Sequence, residues 1–154
     1  MADLKYKKLF LSEPELRHKV PTPIAPLFGP CAYIDSESQF GTKTNFSMAW
    51  RLITKPIFID REPHAHPFDE FLCFLGGNLE NMFDFDATIE LSMGKESELH
   101  VIDKATIVYI PAGTIHCPLN YKRIGKPILF HPIALTPAFY SKSEKNKLKQ
   151  PKEA

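Results

Sequence analysis

Cysteine is scarce, charge is almost cancelled, and no long apolar run exists. Three cysteines, Cys31, Cys73 and Cys117, sit at unrelated spacings. That excludes a disulfide framework and a CxxC zinc site. A formal net charge of +1 leaves no global field to attract nucleic acid or an anionic membrane. No apolar stretch approaches the roughly 18 residues that a spanning helix needs. The opening "MADLKYKKLFLSEPEL" has no signal-peptide core, so the expected setting is cytoplasmic, with no membrane and no nucleic-acid partner. The basic residues of the final "SKSEKNKLKQPKEA" are interleaved with acids, which describes a solvated, flexible tail over 141–154.

What is present is aromatic and proline-rich. Twelve Phe, five Tyr and one Trp in 154 residues argue for a packed core rather than disorder. The 14 prolines work against long helices, because each one inside a helix removes a hydrogen bond and clashes with the preceding turn. One short N-terminal helix is expected at "SEPELRHKV", with Ser12 as N-cap, Glu15 three residues on and Pro14 in the first turn. An extended arm, "PTPIAPLFGP", follows, so that 1–29 reads as helix plus arm.

From about residue 30 to 140 the chain becomes a series of short strands. "CAYID", "NFSMAWRLI", "PIFID", "EFLCFLGG", "ATIELSM", "ELHVID", "TIVYIPAG" and "PILFHPIAL" are rich in β-branched and aromatic residues and bounded by turn formers. With no long helical stretch among them, an all-β sandwich or barrel is expected. Residues 78–98 read either as a long hairpin or as an inserted loop.

The segment "EPHAHPFDEFLCFLGG" carries the chemistry. Residues at i and i+2 of an extended chain project the same way, so His64 and His66 converge on one ion. Pro63 and Pro67 stiffen both sides of the pair. Glu70 shares their parity after a tight turn through "PFD", whereas Asp69 points the other way. A second segment, "IVYIPAGTIHCPLN", supplies His116 after a turn marked by Pro111 and Gly113, read as a hairpin that throws the histidine back across the barrel.

These residues resemble the cupin family. His64, His66, Glu70 and Gly77 match its first motif, HxHx(3–4)Ex(6)G; Pro111, Gly113, His116 and Asn120 match its second, PxGxxHxxxN. Phe58 and Ala105 stand where the motifs usually open with glycine. The resemblance spans roughly residues 40–136. It implies a jelly-roll barrel holding one divalent transition metal through His64, His66, Glu70 and His116, commonly in a homodimer. Such ligands suit Fe(II), Mn(II), Ni(II), Cu(II) or Zn(II), and analogy within the family puts Fe(II) first.

The implied activity is a metal-dependent oxidoreductase of dioxygenase type acting on a small organic acid, phenol or enediol, with Glu70 bound or free to act as a base. Non-redox isomerase, epimerase or lyase chemistry on a sugar or hydroxy acid is a second reading, and a ligand-binding sensor a third. Two further residues are candidates for substrate contact. Arg51 would clamp a carboxylate if it faced the cavity, against the ordinary alternative of a surface ion pair. His131 would act as an acid–base group, against a structural histidine. Cys73 and Cys117 are expected in apolar packing, facing away from the metal.

Overall fold

A computed structural model describes residues 4–14, 31–59 and 62–139. The architecture is all-β. Its strands are β1 (Cys31–Asp35), β2 (Ser47–Ile53), β3 (Ile57–Ile59), β4 (Glu70–Gly76), β5 (Ala87–Met93), β6 (Glu98–Ile102), β7 (Thr106–Ile110), β8 (His116–Ile124) and β9 (Ile128–Ala134). Among the described residues one α-helix, α1 (Ser36–Phe40), follows β1, and a short 3-10 turn covers Lys7–Leu9. Of the helix expected from Ser12 onward only residues 12–14 are described; its remainder, the arm at 21–30 and the tail lie outside the described residues.

All strand pairings are antiparallel, in a five-stranded sheet of order β1-β2-β9-β4-β7 and a four-stranded sheet of order β3-β8-β5-β6. Non-consecutive neighbours such as β2 with β9 and β4 with β9 mark a jelly-roll path rather than a meander. Alternation decides which side chains face inward. Along β5, Ala87, Ile89 and Leu91 are buried while Thr88 and Glu90 are not; along β2, Ala49 and Ile53 are buried while Trp50 and Leu52 are exposed.

The core between the sheets is aromatic at one end. Phe74 stacks on Phe130 at 5.0 Å, and Tyr121 meets Phe130 edge-on at 6.0 Å. Each fully buried ring of this kind contributes about 1.5–3 kcal/mol. Phe74 lies four residues along β4 from Glu70, roughly 13 Å at the usual rise of a strand. The plug therefore closes one end of the barrel and leaves the other for the site.

Residues 78–98 resolve into a loop followed by the β5–β6 hairpin. The loop is held by Gly76 N–H donating to the Met82 carbonyl at 2.8 Å and by Lys126 on Asp84 at 3.0 Å. Phe58 sits within β3, paired with Asn120, so no turn occurs where the motif usually carries glycine. Gly77 has a steric reason: a Cβ there would stand 2.6 Å from the Pro127 carbonyl oxygen. Gly113 has a conformational one, φ +81 with open space around it.

Candidate metal centre

Backbone pairing brings the two histidine segments together. His64 N–H donates to His116 O at 3.0 Å, and His116 N–H returns the bond to His64 O at 2.9 Å. Directly opposed residues of an antiparallel pair present their side chains on the same face, so this one bridge aligns two imidazoles 4.5 Å apart. His66 follows at i+2, its ring 4.8 Å from His64 and 5.2 Å from His116. The chain then bends at Pro67 and Phe68 and enters β4 at Glu70.

The route of the second segment differs from a simple hairpin. Strand β7 pairs with β4 in one sheet, whereas β8 pairs with β3 and β5 in the other. The turn at 111–115 therefore crosses between sheets and delivers His116 to the corner where they meet. Asp69 fastens that crossing: Oδ1 accepts Ala112 N–H at 2.9 Å and Oδ2 accepts the Tyr109 hydroxyl at 3.0 Å. Gly113 N–H adds a bond to His66 O at 2.8 Å. Asp69 faces away from the histidines as its parity requires, and its clamping role is invisible in sequence because its partners lie some 40 residues away.

Tautomers follow from the partners. His64 Nδ1 is 2.9 Å from the Glu62 carbonyl and His116 Nδ1 is 2.9 Å from the Thr114 carbonyl. A carbonyl oxygen only accepts, so both rings donate from Nδ1, which makes Nε2 the lone-pair nitrogen of the neutral ring. Holding the second ring nitrogen in this way is what metal-ligating histidines do. Glu70, 6% exposed, turns Oε2 toward the same space, 3.4 Å from His116 Nε2 and 3.8 Å from His66 Nε2. That oxygen is buried and accepts no hydrogen bond.

This arrangement fits a cation. An inward ring of acceptors with a buried, unsatisfied carboxylate oxygen is costly unless a positive charge sits among them. The nitrogens of His64, His66 and His116 lie within 4.8 Å of one another. Two donors each about 2.1 Å from one ion are at most about 4.2 Å apart, so side-chain rotation of a few tenths of an ångström completes the cage.

The two expected substrate residues are not brought to this place. Arg51 is on the inward side of β2, level with Phe130 and Phe74, while Glu70 is level with Ala134 and Ser47. Four residues of strand, roughly 13 Å, separate the two rows. His131 has the opposite parity to the core residue Phe130, so it lies on the outward side of the sheet. There its Nε2 is 3.2 Å from Met48 Sδ, and burial lowers its pKa. Its expected role in substrate contact is corrected accordingly: the register points it away from the histidines. Asn120, of the second motif, also faces outward, its amide 3.5 Å from Glu90. Cys117 is buried in the main core, with φ +77, so that it and His116 are both buried despite being neighbours.

The fold is that of solved cupin-type barrels. A variant of the oxalate decarboxylase of Bacillus subtilis superposes with a TM-score of 0.54 at 11% identity, over 86% of this chain and 29% of that one. Recombinant oxalate oxidase in complex with glycolate gives 0.55 at 16% identity, over 85% of this chain and 61% of that one. An oxalate decarboxylase of Bacillus subtilis studied for its Mn(II) centres gives 0.53 at 11% identity, over 83% and 29%. No family model and no curated protein sequence matches the chain. At these identities the likeness establishes architecture: the chain is a cupin-type jelly-roll barrel with a histidine triad able to hold a metal. It spans 29% of those decarboxylase chains and 61% of the oxidase chain. Among the described residues no helix is long and apolar enough to cross a membrane.

Proposed function

We propose that this chain is a mononuclear metal-dependent oxidoreductase in which His64, His66, His116 and Glu70 hold one divalent transition metal and a small organic acid or phenol is the substrate. The observation that carries it is the buried Glu70 Oε2 without a hydrogen bond, 3.4 Å from an imidazole nitrogen whose lone pair faces it. The Mn(II) named for one structural neighbour supports Mn(II) beside Fe(II) as the ion. Oxalate and glycolate, named for the neighbours, support a small carboxylate as substrate.

A bound metal supplies Lewis acidity and, if redox-active, a route for electrons. The protein supplies the rest. The Glu62 and Thr114 carbonyls fix two imidazoles, and Asp69 fixes the turn that leads into His116. His66, with its side chain 20% exposed, marks the open side of the centre. Phe68 stacks on that ring at 4.9 Å and Phe139 meets it edge-on at 5.1 Å. The wall beside the opening is carbon, so an apolar portion of a substrate would lie against these rings.

Metal analysis of protein purified without chelator, followed by oxygen-uptake assays with small carboxylic acids and phenols under Mn(II) and Fe(II), tests the reading. Stoichiometric metal with metal-dependent oxygen consumption is expected. Turnover with Zn(II) in the absence of oxygen would exclude the redox assignment, and absence of metal binding would exclude the site.

A further inference from the structure

The five residues after β9 run across the open side of the centre and are tied down at three points. Leu135 N–H donates to the Asp69 carbonyl at 2.9 Å, the Pro137 carbonyl accepts Glu37 N–H at 3.2 Å, and Phe139 N–H donates to the Tyr33 hydroxyl at 2.8 Å. The strap thus begins beside the first motif and ends on β1. Phe139 packs with Cys31, Tyr33 and Ala49, a small core separate from the main one. The same ring lies 5.1 Å from His66 at 64° and 5.6 Å from Phe68 at 65°. Phe68 covers the His66 ring face almost in parallel, at 6°. His66 is therefore held by two aromatic rings of different origin, one local and one 73 residues further along the chain.

We propose that Tyr33 and Phe139 are positioning residues for the metal site: the Tyr33 hydroxyl holds the Phe139 backbone in place, and the Phe139 ring sets the orientation of the His66 imidazole. The inference rests on His66 being a ligand, as proposed above. Ring–ring contacts of this kind are edge- and face-specific, so they select one imidazole plane out of those its two side-chain torsions allow. Outer-shell partners of ligating histidines change metal affinity by about 10–100-fold when removed. Here the outer shell is carbon, and its anchor is a phenol on another strand. Tyr33 is suited to the task because it stays neutral: burial first, then the charge of Asp35, pushes its pKa up to about 12.

Titration of the full chain with Co(II), read by visible absorption, tests this. Tyr33→Phe removes only the hydroxyl, and Phe139→Leu removes the ring while keeping apolar bulk. Each is expected to weaken Co(II) binding about ten-fold and to shift the d–d bands. The double variant is expected to match Phe139→Leu alone, because Tyr33 acts through Phe139. Phe139→Tyr, which restores the ring, is expected to recover the wild-type spectrum. Ile53→Val, in the core away from the centre, serves as the stability control and is expected to leave Co(II) affinity unchanged. Wild-type affinity and spectrum in Tyr33→Phe and Phe139→Leu, even with lowered melting temperatures, would reduce the strap to ordinary packing. Failure of the wild-type chain to bind Co(II) at all would instead overturn the metal reading beneath it.

Discussion

Replacing Glu70 by Gln should stabilise the metal-free protein and weaken the metal-bound one. In the wild-type chain Oε2 is buried without a hydrogen bond, and the nearest nitrogen, His116 Nε2 at 3.4 Å, offers a lone pair rather than a proton. A Gln amide nitrogen in that place donates to the same lone pair and removes a buried charge. Satisfying a buried polar atom recovers about 1–3 kcal/mol. In a domain of this length that corresponds to a rise of roughly 2–12 °C in melting temperature, at about 2–4 °C per kcal/mol. The measurement belongs at pH 8 with chelator present, so that no metal ion occupies the site. Metal binding should move the other way. Losing an outer-shell partner costs about 10–100-fold in affinity, so losing a charged donor costs at least about 100-fold, or roughly 2.7 kcal/mol. Calorimetric melting of both proteins with chelator and with saturating Mn(II) reads both effects. A metal-free Glu70→Gln protein that melts at or below wild type would refute the reasoning, because the carboxylate would then be satisfied by something other than a cation.

Three further outcomes are expected. His116→Ala should lose most bound metal and keep the barrel's circular dichroism, since the backbone bonds to His64 survive the substitution; undiminished metal content would remove His116 from the site. Burial lowers the pKa of His131, so the unfolded chain takes up a proton near the ordinary value of about 6.5 before the folded chain does. The associated stability is present above that pH and lost as pH falls below it; the denaturation midpoint of His131→Gln should therefore drop less than that of wild type between pH 7.5 and 5.5, and equal drops would count against the burial. Finally, the outward side of the five-stranded sheet exposes Trp50, Leu52, Ile107 and Tyr109, with the Asp69 carboxylate on the Tyr109 hydroxyl at one edge. We propose that the expected homodimer would bury this apolar face against a second copy. Trp50→Lys should shift sedimentation toward the monomer, and an unchanged profile would place any dimer contact elsewhere.

The strands were legible because a half-buried strand writes its own alternation: "ATIELSM" and "SMAWRLI" show which side is core before any partner is known. The grouping of the histidines was legible for a related reason, since His64 and His66 are two apart on an extended segment. Helix α1 was not, because "SESQF" has no apolar period; Asp35 capping Ser38 N–H and Gly41 at φ +63 create it from outside. His131 was misplaced because parity tells only that neighbours differ, and fixing which of Phe130 and His131 faces inward requires the register with β4. The Asp69 clamp and the Phe139 strap are contacts between distant segments, and nothing local to either residue announces them.

The reciprocal bond pair between His64 and His116 has a practical corollary. The two halves of the centre are stitched directly to each other, so the intervening lobe can be reconnected without passing through the cage. The exposed residues 95–97, beyond the Gly94 N–H bond to the Ile115 carbonyl at 2.7 Å, are a place to insert a reporter domain. A reporter inserted there should leave the His64–His116 bond pair intact.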